Sequence, residues 1–391
     1  MNRLNLSPRF VVTIVTILII VIAASVAIFL AKGYRFSTKK GTIITGTGIM
    51  SITSIPDQAS VYLDGHLTTA TNANINSLIP KSYDVKIVKD GFIPWEKKVD
   101  VQEGFVSNIK ATLFPAIPTI YPLTYNGVTN TLLSPDGQKL VFVVPGDDLK
   151  KSGIWVWTMS ERPIGFARGS EPHQIVRPIP GLDFTKAELR FSPDSNQILV
   201  SLPQESLLLD LDRLNDIPRD ITAILQPTTK GWDDEVSTKN IARIQTIKNL
   251  KLHQIASNSA TIAWSPDETK FYYSQQLSPD PNPKISVNVA DITTGKTYKI
   301  PLAKSITWLP DSTHLILVDQ DESKDSQDSE KPKTGKISVV EFDGHNQSIL
   351  YAGVFDIKSV YPWPDGSRLM IITTFPTPTA EKPNLYGINL K

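Results

Sequence analysis

The feature that most constrains the fold of this chain is a short motif that recurs five times between residues 133 and 372. Each copy contains Pro-Asp and leads into an extended apolar run. Proline presets the φ angle of the first central position of a turn, and the Asp side chain accepts hydrogen bonds from backbone N–H groups two residues on. Each copy therefore predicts a strand, a tight turn and a second strand. The motif residues are Asp136, Asp194, Asp267, Asp311 and Asp365, at spacings of 58, 73, 44 and 54 residues.

Most copies are followed by a third extended run. A repeat of about 45 residues with three or four strands has the spacing of a β-propeller blade. The copies resemble the Ser-Pro-Asp-Gly repeats of WD40-like and TolB-type propellers, and the resemblance covers nearly all of residues 116–391. It implies a propeller of five visible blades, with room for a sixth in the 73-residue interval. The third runs are residues 154–158, 207–211, 285–291, 337–342 and 386–390.

Two segments of the repeat region depart from the blade pattern. Residues 119–124 resemble the outer strand of a blade without the strands before it, so we predict that they complete the last blade and fasten the ring. In the 73-residue interval, three acidic residues at 233–235 precede apolar residues at helical spacing, with Lys and His last. This order suits a helix dipole. We predict a helical insertion at about 212–257, in the second blade.

An all-β unit of residues 48–115 precedes the repeat region. Polar and apolar residues alternate with period 2, and Asp64-Gly65 and Asp90-Gly91 each join two alternating runs, as expected of hairpin turns. An Asp ahead of Gly in such a turn serves the turn itself, so we assign Asp64 no ligand or acid role. The pattern predicts a small β-sandwich.

The order of these runs looks like that of the PEGA domain, a sandwich found in bacterial and archaeal surface proteins. The namesake tetrapeptide falls on residues 56–59, Pro-Asp-Gln-Ala, where both central residues are replaced. Residues 83–87 and the Lys-Asp-Gly-Phe of residues 89–92 continue the resemblance. Departures at residues 70–73 and 80–81 concern turns, so the resemblance implies a sandwich with altered loops.

An uncharged apolar run covers residues 10–31, near the N-terminus. At 1.5 Å per residue, a helix of this length spans about 33 Å, enough for a bilayer core of about 30 Å. We interpret the run as a transmembrane helix that acts as a signal-anchor. A cleaved signal peptide is the alternative, because Ser25-Val26-Ala27 is a small-x-small site, but the apolar run continues beyond it and exceeds a usual signal-peptide core.

The flanks of this helix give its orientation only weakly. Residues 1–9 and the linker of residues 32–47 both carry basic side chains, so Lys/Arg counting is nearly balanced. Beyond residue 40 the chain has 34 basic and 39 acidic side chains, a net charge of −5. A large cysteine-free domain after one anchor fits export across a bacterial-type membrane. We therefore place the N-terminus in the cytoplasm and the C-terminal domains outside the cytoplasmic membrane.

Composition and missing motifs exclude several functional classes. The chain has no Cys, which rules out disulfides, thiolate nucleophiles and Cys-based metal sites. Its 40 Lys and Arg against 39 Asp and Glu give no basic excess of the kind that nucleic-acid binders carry. It has no Gly-x-Ser-x-Gly elbow, phosphate loop or Gly-x-Gly-x-x-Gly motif. We expect no catalytic residue, no cofactor and no metal site.

Residue types that commonly bind metals form no strong motif. An acidic loop insert at about 319–335 places Asp319, Asp321 and Glu330 at the spacing of a calcium-binding EF-hand loop, but Lys324 replaces the Gly that this loop requires. We interpret the insert as a solvated acidic hairpin loop. The His residues are scattered, without a pair at i, i+4. They are His66, His173, His253, His314 and His345.

Tryptophan side chains either stack on sugars or pack in the protein. Trp264 and Trp308 share a repeat position at the end of a strand that should line the propeller channel, where residues usually pack between blades. Trp155 and Trp157 share a strand face, and Trp95 follows a turn of the sandwich. We predict that these side chains pack in the protein, and we assign none of them to carbohydrate binding.

These patterns predict an all-β, single-pass protein of the cell envelope that acts as a non-enzymatic binding or scaffold module. Blade loops suit recognition of a protein or a cell-wall polysaccharide. We expect a monomer that binds no nucleic acid. The alternative is a propeller-type lyase or glycosidase with acids at the channel mouth, for which Asp183, Glu188 and Asp356 are candidates outside the repeated turns. A cluster of acids with His or Arg around a concave pocket would favour the enzyme, and an apolar or Ser/Thr-lined channel with a broad flat rim would favour binding.

Overall fold

The computed structural model divides the chain into two units, Met1–Phe114 and Pro115–Lys391. Residues 321–333, which carry most of the acidic insert and its calcium-like spacing, lie outside the residues that the structure describes. The described residues are 8–31, 35–36, 44–159, 171–259, 261–276, 285–320, 334–374 and 382–391.

The N-terminal apolar run forms helix α1, Pro8–Ala31. Every described side chain of this helix is exposed, and its length and composition suffice to cross a membrane. Its hydroxyl groups are bonded within the helix, since Thr13, Thr16 and Ser25 each donate to the backbone carbonyl four residues earlier. The helix therefore presents an apolar surface with few free polar groups, as a lipid environment requires.

The predicted sandwich consists of two facing sheets. The described strands of the first unit are β1 (Arg35–Phe36), β2 (Ile44–Thr45), β3 (Gly48–Ile55), β4 (Ser60–Leu63), β5 (His66–Ala70), β6 (Ala73–Leu78), β7 (Lys81–Val88), β8 (Trp95–Val101) and β9 (Val106–Thr112). β1 and β2 pair with each other. One sheet of the sandwich has the order β6-β3-β9 and the other the order β5-β4-β7-β8. The pairs β4–β5 and β7–β8 are the hairpins predicted from the two Asp-Gly turns.

The sandwich core follows from the alternation in its strands. Met50 and Ile52 of β3 pack with Val85 and Ile87 of β7, and the neighbouring residues along each strand face outward. Trp95 is buried in the same core, as predicted. Period-2 patterning therefore fixes which face of each sheet is buried.

The second unit is a β-propeller whose described strands form five four-stranded antiparallel sheets. The first four sheets each consist of consecutive strands. They are β11 (Thr129–Leu133), β12 (Lys139–Val144), β13 (Gly153–Thr158) and β14 (His173–Val176); β15 (Glu188–Phe191), β16 (Gln197–Ser201), β17 (Ser206–Asp210) and β18 (Arg219–Asp220); β19 (Ile262–Trp264), β20 (Lys270–Gln276), β21 (Ile285–Asp291) and β22 (Lys296–Ile300); and β23 (Ser305–Trp308), β24 (His314–Gln320), β25 (Thr334–Glu341) and β26 (Ser348–Val354).

The last sheet joins the two ends of the unit. It combines β27 (Val360–Pro362), β28 (Arg368–Thr373) and β29 (Asn384–Asn389) with β10 (Ile120–Pro122), which pairs antiparallel with β29. Ile120 lies opposite Ile388, and the backbone N–H of Leu123 donates to the carbonyl of Leu385 at 2.8 Å. The prediction that residues 119–124 complete the last blade is confirmed.

The predicted helical insertion is present, but it consists of two helices that follow the second sheet. They are α2, Leu225–Gln245, and α3, Leu250–Asn258. Because the short strand β18 completes the second sheet before α2 begins, placing the insertion within the second blade was wrong. The apolar spacing did not show the break between the helices, where the Asn249 side chain accepts hydrogen bonds from the N–H groups of Lys251 and Leu252 and starts α3.

The helices fill the space between the second and third sheets. Leu199 of the second sheet packs in one apolar cluster with Trp232 of α2. Phe271 of the third sheet packs in another with Leu252 and Ala256 of α3. The first and second, third and fourth, and first and last sheets share apolar clusters directly. The helices thus join two blades and bring helical side chains toward the channel.

Candidate functional site

The five repeated Pro-Asp turns share one geometry. In each, the residue after Asp donates its N–H to the carbonyl three residues earlier, at 2.8–3.1 Å. The Asp carboxylate accepts the N–H two residues on, at 2.7–3.2 Å, as predicted. The residue after Asp has a φ angle between 56° and 69°, which favours Gly but is occupied by Ser or Glu in three copies. These residues are Gly137, Ser195, Glu268, Ser312 and Gly366.

Two of these turns are tied to the turn of the following sheet. The Oγ of Ser195 accepts the backbone N–H of Asp136 at 3.3 Å, and the Oγ of Ser312 accepts that of Asp267 at 3.0 Å. Both serines are buried. In these two turns the residue at positive φ therefore also supplies a hydrogen bond to the turn of the neighbouring sheet.

Four of the five turns border a cavity of about 690 Å³ at one mouth of the channel. Residues of the first, third, fourth and last sheets line it, and α2 contributes Asn240 and Arg243. Polar and charged side chains share its surface with eight proline and aromatic residues. These residues are Pro135, Pro266, Pro310, Pro362, Pro364, Trp264, Tyr272 and Trp308.

The aromatic side of this cavity also joins the third and fourth sheets. The indole Nε1 of Trp308 donates to the carbonyl of Ala263 at 3.0 Å, and the hydroxyl of Tyr272 donates to the carbonyl of Ile306 at 2.9 Å. Burial raises the pKa of Tyr272, so its hydroxyl stays protonated and keeps donating. Trp308 is buried and Trp264 is half-buried, its ring 5.2 Å from that of Phe271. The predicted packing of both tryptophans is confirmed.

An ion pair closes the helical side of the mouth. The guanidinium of Arg243 on α2 contacts the carboxylate of Glu268 at 2.7–2.8 Å. Glu268 occupies the positive-φ position of the third turn, where the other copies have Gly or Ser. The pair holds the C-terminal end of α2 against the third sheet.

The acids at this mouth are already engaged within the protein. Asp136 accepts the hydroxyl of Ser134 and the N–H of Gln138, and Glu268 is paired with Arg243. General acid–base chemistry on a glycosidic bond uses two carboxyl groups that face the substrate. The mouth therefore holds two carboxylates and one guanidinium beside its proline and aromatic side chains, so it carries features of both patterns.

The three acids named for the enzyme alternative do not converge. Asp183 caps a short 3₁₀ helix, and the pKa of its carboxyl is lowered by the Thr185 hydroxyl and by Lys186. It lines a cleft of about 550 Å³, whereas Asp356 lines a different one of about 290 Å³. Glu188 starts β15 and lines neither cleft. Asp183 and Asp356 precede the first strand of a sheet and Glu188 begins one, while the repeated turns follow that strand.

Within the described residues, no group of three or more His, Asp or Glu side chains could hold a metal ion. His314 is buried and its Nδ1 lies 2.6 Å from the Asp311 carboxylate. Burial acts to raise the pKa of Asp311, but the hydrogen bond and charge of His314 outweigh it and lower that pKa to about 2. His173 contacts the carbonyl of Leu211, and His345 contacts Asp343.

The remaining tryptophans pack in the last and first sheets. Trp157 is buried and meets Trp363 edge-on, with ring centroids 5.7 Å apart. Trp155 is half-buried against the same cluster, and its Nε1 donates to the carbonyl of Lys151 at 3.1 Å. Both therefore pack as predicted.

Sequence reasoning missed Tyr272, Asn240 and Arg243 as channel residues. Arg243 and Glu268 are 25 positions apart, and only the fold brings them together. One local signal was present, because Glu268 is the only long charged residue at the positive-φ position of the five turns. A long charged side chain at a position whose backbone favours Gly indicates that the side chain pairs with another part of the fold.

Residues 47–117, which include the two sheets of the sandwich, match a known domain family. This segment is a PEGA domain. A search of curated proteins gave no match for the chain.

Solved structures similar to this chain include propellers. A putative TolB from Agrobacterium tumefaciens is 16% identical, with 65% of this chain and 76% of that chain covered and a TM-score of 0.22. The β-propeller domain of the trilobed protease from Pyrococcus furiosus is 14% identical, covering 69% and 72%, with a TM-score of 0.25. An oligogalacturonate lyase in complex with manganese is 13% identical, covering 92% and 96%, with a TM-score of 0.24. Similarity at this level concerns fold alone.

Proposed function

We propose that this chain is a membrane-anchored, non-enzymatic binding protein of the cell envelope. Helix α1 anchors it in the cytoplasmic membrane with the N-terminus inside, and the PEGA domain and propeller lie outside. The propeller holds a segment of an envelope protein or a cell-wall polysaccharide at the channel mouth bordered by the repeated turns.

The anchor is supported by the surface of α1. Its described side chains are exposed and, beyond Arg9, mostly apolar, and the hydroxyls of Thr13, Thr16 and Ser25 are bonded inside the helix. Exposing such a surface to water is costly, whereas a bilayer accepts it. The cysteine-free composition suits a protein exported by a single anchor.

The observation that carries the binding role is the lining of the channel mouth. It combines a cavity of about 690 Å³ with proline and aromatic side chains and with several polar and charged groups, among them Gln138, Asn240 and Arg243. Such a mixture supplies apolar contact area together with hydrogen bonds that fix orientation. The carboxylates of Asp136 and Glu268 serve the turn and the ion pair, so the rim is rigid before a partner arrives.

Site-specific photo-crosslinking in living cells tests this proposal. A photoreactive residue replaces Gln138, which lines the mouth, and in a matched variant it replaces Gln226, an exposed residue of α2 outside the cavity. We expect a discrete crosslinked envelope species with the first variant and none with the second. Equal or absent crosslinking at both positions would contradict a binding role for the mouth.

A polysaccharide assay separates binding from catalysis. The purified chain is incubated with cell-wall polysaccharide, and new reducing ends or unsaturated sugar products are measured. We expect polysaccharide or protein to be retained without such products. Product formation that disappears in Glu268→Gln would identify the mouth as an active site instead.

A further inference from the structure

Most large exposed apolar side chains of the PEGA domain lie at one end of it. Ile79, Phe105 and Val106 are 62%, 66% and 52% exposed, and Ile49 is 36% exposed. Ile49 lies opposite Val106 in the β3–β9 pair, and Gly48 lies opposite Leu78, the residue before Ile79. We call Ile49, Ile79, Phe105 and Val106 the apolar tip.

The apolar tip is the end at which the chain arrives from α1. The N–H of Gly104 donates to the carbonyl of Thr47, and the N–H of Ile49 donates to the carbonyl of Phe105. Because β9 runs parallel to β3, both strands lead away from the tip, toward Ile55 and Thr112. The propeller therefore follows from the opposite end of the domain.

The linker keeps the apolar tip close to the helix. Arg35 lies opposite Thr45 in the β1–β2 pair. The chain can therefore cross from β1 to β2 at this pair, and only a few residues on each side of it separate Ala31 from Thr47. At about 3.5 Å per residue plus one strand spacing, Ile49, the first residue of the tip, lies within about 33 Å of the end of α1.

The polar groups around the apolar tip suit an interface between water and lipid. Lys81 pairs with Asp64, and its Nζ lies 4.4 Å from the centre of the Tyr83 ring, whose hydroxyl donates to the carbonyl of Ile79. The Lys81 ammonium, held between the Asp64 carboxylate and the Tyr83 ring, is a polar group suited to headgroup depth, while the neighbouring apolar groups go deeper. Glu103 is a carboxylate beside the tip, so we expect shallow insertion.

We propose that the apolar tip of the PEGA domain lies in the headgroup region of the membrane that holds α1. The occupant of this surface is lipid, because the tip is tethered beside the bilayer and its exposed side chains are apolar. The contact holds the PEGA domain with its opposite end, at Ile55 and Thr112, facing away from the membrane. This inference rests on the membrane anchor of the proposed function.

Fluorescence of the full chain in vesicles of phosphatidylcholine and phosphatidylglycerol tests the contact. Since the chain has no Cys, single variants Phe105→Cys and Ile79→Cys carry an environment-sensitive dye without background. Ile55→Cys is the matched control, at 57% exposure on the far end of β3. Val21→Cys reports on α1 itself.

We expect a blue shift at positions 105 and 79 and loss of fluorescence when lipids carry a shallow spin label, with neither effect at position 55. A deep spin label should quench the dye at position 21. If position 21 is quenched while position 105 behaves like position 55, the anchor stands and the lipid contact is refuted. A blue shift at 105 without lipid quenching would show that protein covers the tip, which also overturns the proposal. If position 21 is not quenched, the anchor fails and the proposal fails with it.

Discussion

The bond between the Tyr272 hydroxyl and the Ile306 carbonyl offers a one-atom test of how the third and fourth sheets are held together. Tyr272→Phe removes only this bond and leaves a half-buried carbonyl without its partner. Such a loss costs about 1–2 kcal/mol. In a propeller of this size it should lower the melting temperature by about 2–4 °C.

Tyr273 supplies the matched control. It is the next residue of β20, it is also largely buried, and its hydroxyl makes no hydrogen bond within the described residues. Tyr273→Phe should change stability by less than about 0.5 kcal/mol. Thermal and urea unfolding of both variants measure the difference. Equal effects of the two substitutions would refute the role of this bond between the sheets.

Three further predictions follow from single residues. Gly137→Ala, at a φ of 69° with open space around it, should destabilise the propeller by about 1 kcal/mol in urea unfolding, whereas Gly231→Ala inside α2 should stabilise it by a similar amount. Asp311 has a folded pKa of about 2 against 3.8, so its stabilisation is present above pH 3.8 and lost as the pH falls toward 2. Solvent screening limits it to about 1 kcal/mol, and acid titrations of unfolding should show that this part is missing in Asp311→Asn. Arg243→Gln breaks an exposed pair, so stability should change by less than about 1 kcal/mol while hydrogen exchange at the end of α2 becomes faster.

The repeat was predictable from sequence because its chemistry is local. In each copy Pro and Asp occupy the turn, and the Asp carboxylate bonds to a backbone N–H only two residues away. The closure by β10 was predictable for a related reason: residues 119–124 had strand character but no hairpin partner nearby. The sandwich core followed from period-2 alternation, which assigned Met50 and Ile52 to the buried face.

The insertion and the channel mouth were less predictable because their contacts join distant residues. The apolar spacing after Asp233 continued across two helices, and only the cap at Asn249 separates them. Strand β18 has two residues, too few to produce a pattern. The mouth depends on Arg243 meeting Glu268, which follows from the position of α2 between two sheets.

The central claim is that the propeller lies outside the cytoplasmic membrane while the N-terminus lies inside. The chain has no Cys, so Ile217→Cys, at an exposed position of the propeller, and Asn5→Cys, before α1, each give one labelling site. Intact cells are treated with a maleimide that cannot cross the cytoplasmic membrane, and the labelling is compared with that after lysis. The account predicts full labelling at position 217 in intact cells and labelling at position 5 only after lysis. The reverse pattern would place the propeller in the cytoplasm and contradict the account.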